Sequence, residues 1–454
     1  MEDVITALAT PWGEGGIAVV RLSGEGSVEI ADKIFLSRQT LFESEPRKLV
    51  LGKIYEQNSS PFDEILAVRF EKGKSYTGEE SVEFHCHGGT ASAQKCIEVL
   101  CSLGARAAMP GEFTRRAFVN GRIDLSQAEA VLGIIRARSD EALKASARTL
   151  QGGFASDIKE FLSDLTILAA KLEVDLDFPE EGEGLLPKSQ SAEIIDALLQ
   201  RGSALLNKCR SGLLLREGIK TAIVGRPNVG KSSLLNSLLK EERAIVTPIP
   251  GTTRDRIEET FIHKGIAIRI IDTAGIRETE DKVEAIGVDT SRRSMNDADL
   301  RIWVTDAAEH LTEDDILLGS EATSLPHLIV INKCDLESVV TPEIIKEHFP
   351  NSRIISVSTL KSQGIEELKD IIVEKAAGGD LTFDGYGVTS RQMECLASAI
   401  TLIREAQKTI YENIGDDVTI ACISEARGKL SSLLGLDASE ELLDTVFGTF
   451  CVGK

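Results

Sequence analysis

The stretch Gly225-Arg-Pro-Asn-Val-Gly-Lys-Ser232 decides the fold of the central part of this 454-residue chain. It matches the pattern GxxxxGK[ST], follows the β-type run Thr221–Val224 and precedes the helical pattern Leu234–Leu239. A strand, a glycine-rich loop and a helix in this order form a P-loop, whose backbone N–H groups surround phosphate oxygens at a helix N-terminus. Lys231 is expected to reach the β and γ phosphates of a nucleotide, and Ser232 to bind Mg²⁺. The residues of this loop expected to contact the nucleotide are Asn228, Val229, Gly230, Lys231, Ser232 and Ser233.

Two further motifs follow predicted strands. Asp272-Thr-Ala-Gly275 comes after the strand Ile266–Ile271, which places its carboxylate near Mg²⁺ and its last amide near the γ phosphate. Asn332-Lys-Cys-Asp335 comes after the strand predicted at Leu328–Ile331. The terminal carboxylate of this motif can accept hydrogen bonds from N1 and N2 of guanine, a pair that adenine does not offer, so the pattern favours GTP over ATP.

A weaker signal closes the nucleotide site. Ser356-Val-Ser358 ends the last predicted strand, Ile354–Val357, and partly matches the loop that covers guanine in small GTPases. Ser356 is the candidate contact in this loop. The nucleotide contacts expected at these three motifs are Asp272, Thr273, Ala274, Gly275, Asn332, Lys333, Asp335 and Ser356.

The segment between the P-loop and Asp272 holds a candidate switch threonine in Pro250-Gly-Thr-Thr-Arg254. Its hydroxyl is expected to join Mg²⁺ when γ phosphate is present; Thr252 and Thr253 both fit, and we favour Thr253. Ile276 stands where Ras-like proteins place the glutamine that orients water, and an isoleucine cannot do this. We therefore expect a water-orienting group from the acidic residues that follow, which are Glu278, Glu280, Asp281 and Glu284.

The composition is that of a soluble globular protein, with 42% hydrophobic and 27% charged residues. No basic and apolar leader opens the chain and no apolar run is long enough to cross a bilayer, so we expect neither an export signal nor a membrane span. Eight cysteines without paired spacing favour a reducing cytoplasm. The net charge of −21 argues against coating nucleic acid by bulk electrostatics, so any RNA contact is expected to be local.

The pattern of elements predicts a multidomain α/β and α+β protein. Short β-type runs at 17–22, 65–70 and 81–85 indicate an N-terminal α+β module. Helical spacing begins near Asn120 and predicts one long helix up to Gly152-Gly153, with further helices at 161–172, at 194–215 and from about 390. The alternating β and α units between them predict a doubly wound parallel sheet, a Ras-like P-loop GTPase domain inserted into a helical domain. The predicted domains are residues 1–118, 119–216, 217–378 and 379–454.

Motifs along the whole chain resemble the family of bacterial and organellar tRNA-modification GTPases called MnmE or TrmE. The last of them, at the C-terminus, is the most specific. The matching stretches are Ala7–Pro11, Arg21–Gly24, Pro110–Phe118, Asn120–Leu125, Gln127–Ala130, Asp177–Glu181 and Phe450-Cys-Val-Gly-Lys454.

This resemblance implies an N-terminal folate-binding module that also forms a homodimer, and a flavoenzyme partner similar to MnmG that binds FAD, joined in a heterotetramer. Together they would add a carboxymethylaminomethyl or aminomethyl group to C5 of the wobble uridine of certain tRNAs, with the carbon from 5-formyl- or 5,10-methylene-tetrahydrofolate. By the family's pattern, the folate contacts are Arg21, Glu83, Arg122 and Lys454. Two or three cations with one acid suit a ligand with an anionic tail and a donor-bearing pterin ring.

The resemblance also implies a bound K⁺ and a catalytic glutamate. Asn228 would be a ligand to K⁺ together with groups of the switch segment, for which the candidates are Thr247, Ile249 and Thr252. A cation that bridges the phosphates offsets developing charge where other GTPases use an arginine finger. Glu284 would orient water through a bridging solvent molecule when two G domains pair face to face.

Several alternatives remain open. The G motifs also suit a ribosome-assembly or translation GTPase, although no KH-type RNA-binding loop is recognisable. A third hypothesis makes the first 118 residues a folate-dependent transferase that the G domain regulates. Cys451 is either a nucleophile or a packing residue, and His85-Cys-His87 is interpreted as structural rather than metal-binding. The local basic candidates for tRNA are Arg136, Arg138, Lys144 and Arg148.

Overall fold

A computed structural model describes residues 3–56, 59–177, 188–239, 259–271, 297–377 and 383–454. These residues form two compact units. The first is built from residues 3–132 and 428–454, and the second from the described residues between 133 and 427. The stretch Asp177–Glu181, which resembles the family, is described only at Asp177.

The first unit contains a seven-stranded sheet in its described residues, ordered β3-β4-β5-β6-β2-β1-β7. Neighbouring strands are antiparallel except β1 and β7. The strands are β1 (Ile5–Leu8), β2 (Ile17–Ser23), β3 (Phe35–Leu36), β4 (Val50–Ile54), β5 (Asp63–Phe70), β6 (Ser81–His87) and β7 (Arg106–Ala107), and the helices are α1 (Ser27–Asp32), α2 (Thr90–Ser102) and α3 (Glu112–Val119).

Alternation along these strands sorts core residues from surface residues. Val20 and Leu22 of β2 are buried in the core with Phe84 of β6. Arg21 and Glu83, one position away, point to the opposite face because successive side chains alternate across a strand. The three predicted β-type runs are confirmed, each extended by one or two residues, and the α+β character of this region is confirmed as well.

Four helices follow: α4 (Leu125–Arg136), α5 (Asp140–Leu150), α6 (Gly153–Asp177) and α7 (Lys188–Glu217). The prediction of one long helix from Asn120 to Gly152 was therefore wrong. The chain breaks at 137–139 because the Ser139 side chain accepts a hydrogen bond from the N–H of Ala142 at 3.2 Å and starts a new helix. A serine within helical spacing was the signal of this break.

The second unit contains a six-stranded sheet in its described residues, ordered β13-β12-β11-β8-β10-β9. The strands are β8 (Ile219–Val224), β9 (Glu259–His263), β10 (Ile266–Ile271), β11 (Leu300–Asp306), β12 (His327–Asn332) and β13 (Ile354–Ser356). The helices between them are α8 (Lys231–Leu239), α9 (Glu313–Ala322), α10 (Pro342–His348) and α11 (Ile365–Ala377). Strands β8, β10, β11, β12 and β13 are parallel, as the alternation of units predicted.

Strand β9 was not predicted, and it pairs antiparallel with β10 at the sheet edge. The turn that joins them is Lys264-Gly265, with φ of 49° and 77°. Two successive positive φ angles match the twist of a tight hairpin, and glycine supplies one of them without strain. A Lys-Gly pair is a weaker hairpin signal than Asn-Gly, which explains the omission.

Three helices complete the chain: α12 (Ser390–Tyr411), α13 (Asp416–Leu434) and α14 (Glu440–Phe447). The predicted helical pattern from about Ser390 is confirmed. Thr389 and Gln392 form a capping box at the start of α12, which fixes its first turn. Among the described residues, no helix combines the length and the apolar character needed to cross a membrane.

Candidate functional site

The P-loop lies between β8 and α8, at the carboxyl edge of the six-stranded sheet. Lys231 begins α8, and its Nζ donates to the carbonyl oxygens of Gly225 and Arg226, both at 2.7 Å. Burial lowers the pKa of the Lys231 ammonium. Gly230 has φ of 94°, and a Cβ there would lie 2.2 Å from Nδ2 of Asn332, so the loop requires glycine at this position. The two hydrogen bonds of Nζ hold the Lys231 side chain against the start of the P-loop.

The remaining P-loop residues divide by exposure. Val229 is buried in the core, which leaves its backbone as the part that faces a ligand. Asn228 is exposed in the left-handed region with φ of 66°. Ser232 and Ser233 are exposed in the first turn of α8, where backbone N–H groups point toward the helix N-terminus. A hydroxyl beside these amides suits a hard cation such as Mg²⁺.

The motif Asn332–Asp335 lies directly beside the P-loop. Asn332 is fully buried, and its Nδ2 donates to the Val229 carbonyl at 3.0 Å. Lys333 donates from Nζ to the Asn228 carbonyl, also at 3.0 Å. Two side chains of the guanine motif therefore bond the phosphate loop, which brings the predicted base site and the predicted phosphate site together.

Asp335 is oriented by a serine that sequence reasoning did not select. The Ser358 hydroxyl donates to Oδ1 of Asp335 at 2.5 Å and accepts from the Lys361 N–H at 3.1 Å. The hydrogen bond from Ser358 lowers the pKa of Asp335. Ser356, the predicted contact, is an exposed residue at the end of β13, and its contact with the base stays a prediction. The motif Ser-Val-Ser offered both serines, and strand alternation alone does not say which one turns toward the base.

The two switch segments lie outside the described residues. The predicted residues concerned are Thr247, Ile249, Thr252, Thr253, Asp272, Thr273, Ala274, Gly275, Ile276, Glu278, Glu280, Asp281 and Glu284.

A second candidate site is a cleft of about 390 Å³ in the first unit. Arg21, Glu83 and Arg122, three predicted folate contacts, all line it. Arg21 and Glu83 are paired across β2 and β6, and Arg21 Nε donates to Glu83 Oε1 at 2.9 Å. The guanidinium carbon of Arg21 lies 5.3 Å from the ring centre of Tyr76 and 5.6 Å from that of Phe113, within cation–π range.

Lys454, the fourth predicted contact, also lies close to this cleft. Its pKa is lowered by burial and then by the nearby Arg21, while Glu83 acts in the opposite direction. Its carbonyl accepts the N–H of Phe113 at 3.2 Å, and Val452 bridges to Pro110. The C-terminal tail is thus bonded to the start of α3, which carries it to the cleft.

Gly453 lets this tail approach strand β1. Its φ is 94°, and a Cβ would stand 2.1 Å from the carbonyl oxygen of Leu8. A residue with a side chain cannot occupy this position without moving the tail or the strand. Cys451, two residues earlier, is exposed.

Sequence reasoning missed several residues of the cleft, because they come from loops with no motif spacing. These lining residues are Arg47, Phe70, Lys74, Ser75, Tyr76, Thr77 and Ser81. Burial raises the pKa of the Tyr76 hydroxyl, which pairs with the Thr114 hydroxyl at 2.9 Å. The cleft therefore combines cations, one carboxylate and aromatic surface.

The remaining sequence candidates lie elsewhere. His87 bonds Asp63 at 2.6 Å, and Cys86 lies in the core. Within the described ranges, no group of three or more His, Cys, Asp or Glu side chains is arranged to hold a metal. Arg148 donates to the carbonyls of Phe383 and Gly385, so its guanidinium is engaged inside the protein, whereas Lys144 is exposed.

Comparison with known proteins gives two family matches that together span the chain. Residues 4–122 match the model described as the GTP-binding protein TrmE N-terminus, and residues 125–451 match the MnmE helical domain. A tRNA modification GTPase MnmE from Aquifex aeolicus is 40% identical over 455 residues, covering 100% of both chains. Proteins with the same description from Clostridioides difficile and Natranaerobius thermophilus are each 41% identical, again over 100% of both chains.

Proposed function

The chain belongs to the MnmE family of tRNA modification GTPases and is a GTP hydrolase, and from this premise we propose how its two sites serve tRNA modification. With an FAD-dependent partner similar to MnmG, it adds a carboxymethylaminomethyl or aminomethyl group to C5 of the wobble uridine of certain tRNAs. The carbon comes from 5-formyl- or 5,10-methylene-tetrahydrofolate. The observation that carries this proposal is the cleft in which Arg21, Glu83 and Arg122 meet, with Lys454 beside it.

The cleft has the chemistry that a reduced folate requires. The glutamate tail of a folate is anionic, and Arg122 and Lys454 offer cations to it. Glu83 is a carboxylate that can accept hydrogen bonds from the pterin ring, and Arg21 holds it at 2.9 Å. Tyr76 and Phe113 present aromatic faces beside Arg21, which a flat ring can use for stacking.

In the nucleotide site, we assign the phosphates to the backbone of residues 228–233 and to Lys231, and guanine to Asn332, Lys333 and Asp335. The position of Ser232 in the first turn of α8 and the contacts of Asn332 and Lys333 with the P-loop support this assignment. Ser358, rather than Ser356, orients Asp335 toward the base.

The proposed ligands of Mg²⁺ and K⁺ include residues inside and outside the described ranges. Ser232 would hold Mg²⁺ together with Thr253 and Asp272, which lie outside the described ranges, and the ion would supply positive charge beside the phosphates. Asn228, which is exposed, would hold K⁺ together with Thr247, Ile249 and Thr252, which lie outside the described ranges. Glu284 orients the attacking water. Asn228 fits this role because its amide is exposed at the tip of the P-loop.

We further propose a cytoplasmic homodimer that pairs through the N-terminal module and binds the flavoenzyme as a heterotetramer. The predicted domain plan, residues 1–118, 119–216, 217–378 and 379–454, belongs to the same proposal. The matches of the TrmE N-terminus and the MnmE helical domain to consecutive parts of the chain support it.

Nucleoside analysis of tRNA tests this function directly. A strain that lacks the gene is complemented with the natural chain or with Arg122→Glu, and wobble uridines are measured by mass spectrometry. We expect the natural chain to restore the C5 modification, and Arg122→Glu to fail although its GTPase rate is retained. Unmodified wobble uridines with the natural chain, together with altered ribosomal subunit profiles in the deletion strain, would favour the ribosome-assembly alternative instead.

A further inference from the structure

A buried carboxylate outside all the predicted motifs lies between the two nucleotide-binding loops. Asp306 ends β11, in register with Asn332 of β12, and its side chain is only 4% exposed. One oxygen, Oδ2, is 2.5 Å from Nζ of Lys333, and the other accepts the N–H of Ala308 at 2.9 Å. A buried charge needs such partners, because desolvation penalises an unpaired carboxylate.

The ammonium of Lys333 is shared between Asp306 and the P-loop. The same Nζ that meets the carboxylate also donates to the Asn228 carbonyl at 3.0 Å. Lys333 and Asn228 both have left-handed backbones, with φ of 63° and 66°. Non-glycine residues keep this conformation only where their surroundings fix it. One ammonium therefore ties together two strained residues, one in each loop.

We propose that Asp306 is a positioning residue for the guanine nucleotide, acting through Lys333. The carboxylate fixes the Lys333 ammonium, and the ammonium, together with Nδ2 of Asn332, holds the guanine motif against the P-loop. The proposal rests on the nucleotide site assigned above and adds to it a residue that belongs to none of its motifs.

The expected effect follows from where the side chains lie. Lys333 is 34% exposed, so without a carboxylate its ammonium can turn to water and release the Asn228 carbonyl. The two loops then hold the base and the phosphates at a less fixed spacing, and nucleotide leaves faster. Lys231, the cation assigned to the β and γ phosphates, is bonded to Gly225 and Arg226 and not to Asp306, so turnover of bound GTP changes less.

The test uses Asp306→Asn in the full chain and measures release of a fluorescent GDP analogue by stopped flow with Mg²⁺ present. We expect GDP release to be about tenfold faster or more, because losing a hydrogen bond to a charged group has an effect of this size. The KM for GTP should rise, while kcat stays within about twofold of the natural value. Asp299→Asn is the matched control. Asp299 precedes the other end of β11, accepts the Lys220 N–H at 2.8 Å and lies far along the strand from Lys333, so its variant should release GDP at the natural rate.

A double-mutant cycle separates positioning from a general loss of stability. If Asp306 acts through Lys333, Asp306→Asn adds no further increase in GDP release to a Lys333→Met protein. Additive effects, an unchanged release rate in Asp306→Asn, or equal effects of Asp299→Asn and Asp306→Asn would overturn the proposal. Asp335→Asn is measured in parallel: if it kept its preference for guanine, the site assignment itself would be wrong and the proposal would fall with it.

Discussion

Arg21 and Glu83 stand opposite each other on β2 and β6, and the arginine Nε donates to the glutamate Oε1 at 2.9 Å. Both side chains are mostly buried, at 17% and 20% exposure, so the pair has lost much of its hydration. Removing either partner would leave the other charge partly buried and unpaired, so each side chain holds the other in position. This relationship supports the proposal that the cleft binds a folate.

Replacing Arg21 by Gln should weaken binding of tetrahydrofolate by about tenfold or more, because Glu83 loses the cation that orients it. Isothermal titration of the purified full chain measures the affinity. The GTPase rate should stay unchanged, which excludes general unfolding. Lys53→Gln, an exposed change on strand β4, which pairs with neither β2 nor β6, is the control and should bind folate normally. Equal affinity in Arg21→Gln and the natural chain would contradict a role in folate binding.

Folate affinity should fall with rising pH, and at a lower pH than an ordinary lysine would cause, because burial and Arg21 lower the pKa of Lys454 below its ordinary value of 10.5. The sign follows from the charge: a lowered lysine pKa means that the cation is lost at a lower pH than usual, and the anionic tail loses a partner. Lys454→Arg should flatten the profile because arginine stays charged. The measurement is a series of folate titrations at different pH with the natural chain and with Lys454→Arg. If affinity fell equally with pH in both proteins, Lys454 would not be part of the folate site.

Gly453→Ala should destabilise the first unit by about 2 kcal/mol or more, since it forces a side chain onto a left-handed backbone and against the Leu8 carbonyl 2.1 Å away. Chemical denaturation followed by circular dichroism measures this. Gly428→Ala is the matched control: it lies in α13 with nothing within 4 Å, so alanine there should be neutral or slightly stabilising. Equal stability of Gly453→Ala and the natural protein would show that the tail is not held as described.

Asp335→Asn should move the nucleotide preference from GTP to xanthosine triphosphate by about 100-fold or more, because an amide donates where the carboxylate accepted. Ser358→Ala should weaken guanine nucleotides by about tenfold without changing that preference, as it removes the 2.5 Å hydrogen bond that orients Asp335. Ser356→Ala is the control and should bind normally. Competition binding with the four proteins distinguishes these cases, and a defect in Ser356→Ala alone would restore the sequence-based choice.

GTP turnover should be faster in K⁺ than in Na⁺, and this difference should vanish in Asn228→Ala. Because Asn228 has φ of 66°, alanine there also adds backbone strain. Asn228→Gly removes the same amide without that strain, so loss of the K⁺ response in both variants isolates the side chain. Steady-state phosphate release in the two salts is the measurement. Equal rates in K⁺ and Na⁺ for the natural chain would end the cation proposal.

The G motifs could be predicted from the sequence because each follows a strand whose pattern is clear. The strands that end at Val224 and Asn332 are parallel, so their carboxyl ends lie at the same edge of the sheet. This brings the P-loop and the guanine motif together. Asp306 ends the strand between them, yet it was missed because a lone acidic residue at a strand end has no spacing that marks it. Tyr76 was missed for the same reason, since only tertiary packing places its ring against Arg21.

Helix boundaries, and which of two nearby serines contacts Asp335, were harder to predict from the sequence. The break at Ser139 depends on one capping hydrogen bond within otherwise continuous helical spacing. The choice between Ser356 and Ser358 depends on how the chain leaves β13, which the alternation of one short strand does not determine. In both cases a single local hydrogen bond determines the structure, and the spacing of apolar residues in the sequence does not indicate such a bond.

The bonding of the C-terminal tail to α3 and β1 orders events on the ribosome. More than three hundred residues separate Glu83 from Lys454, so Arg21 and Glu83 leave the exit tunnel before Lys454 is translated. The segment with the P-loop emerges in between and can acquire its structure first. The cleft beside Arg21 and Glu83 can therefore take the form described here only after the tail has been translated.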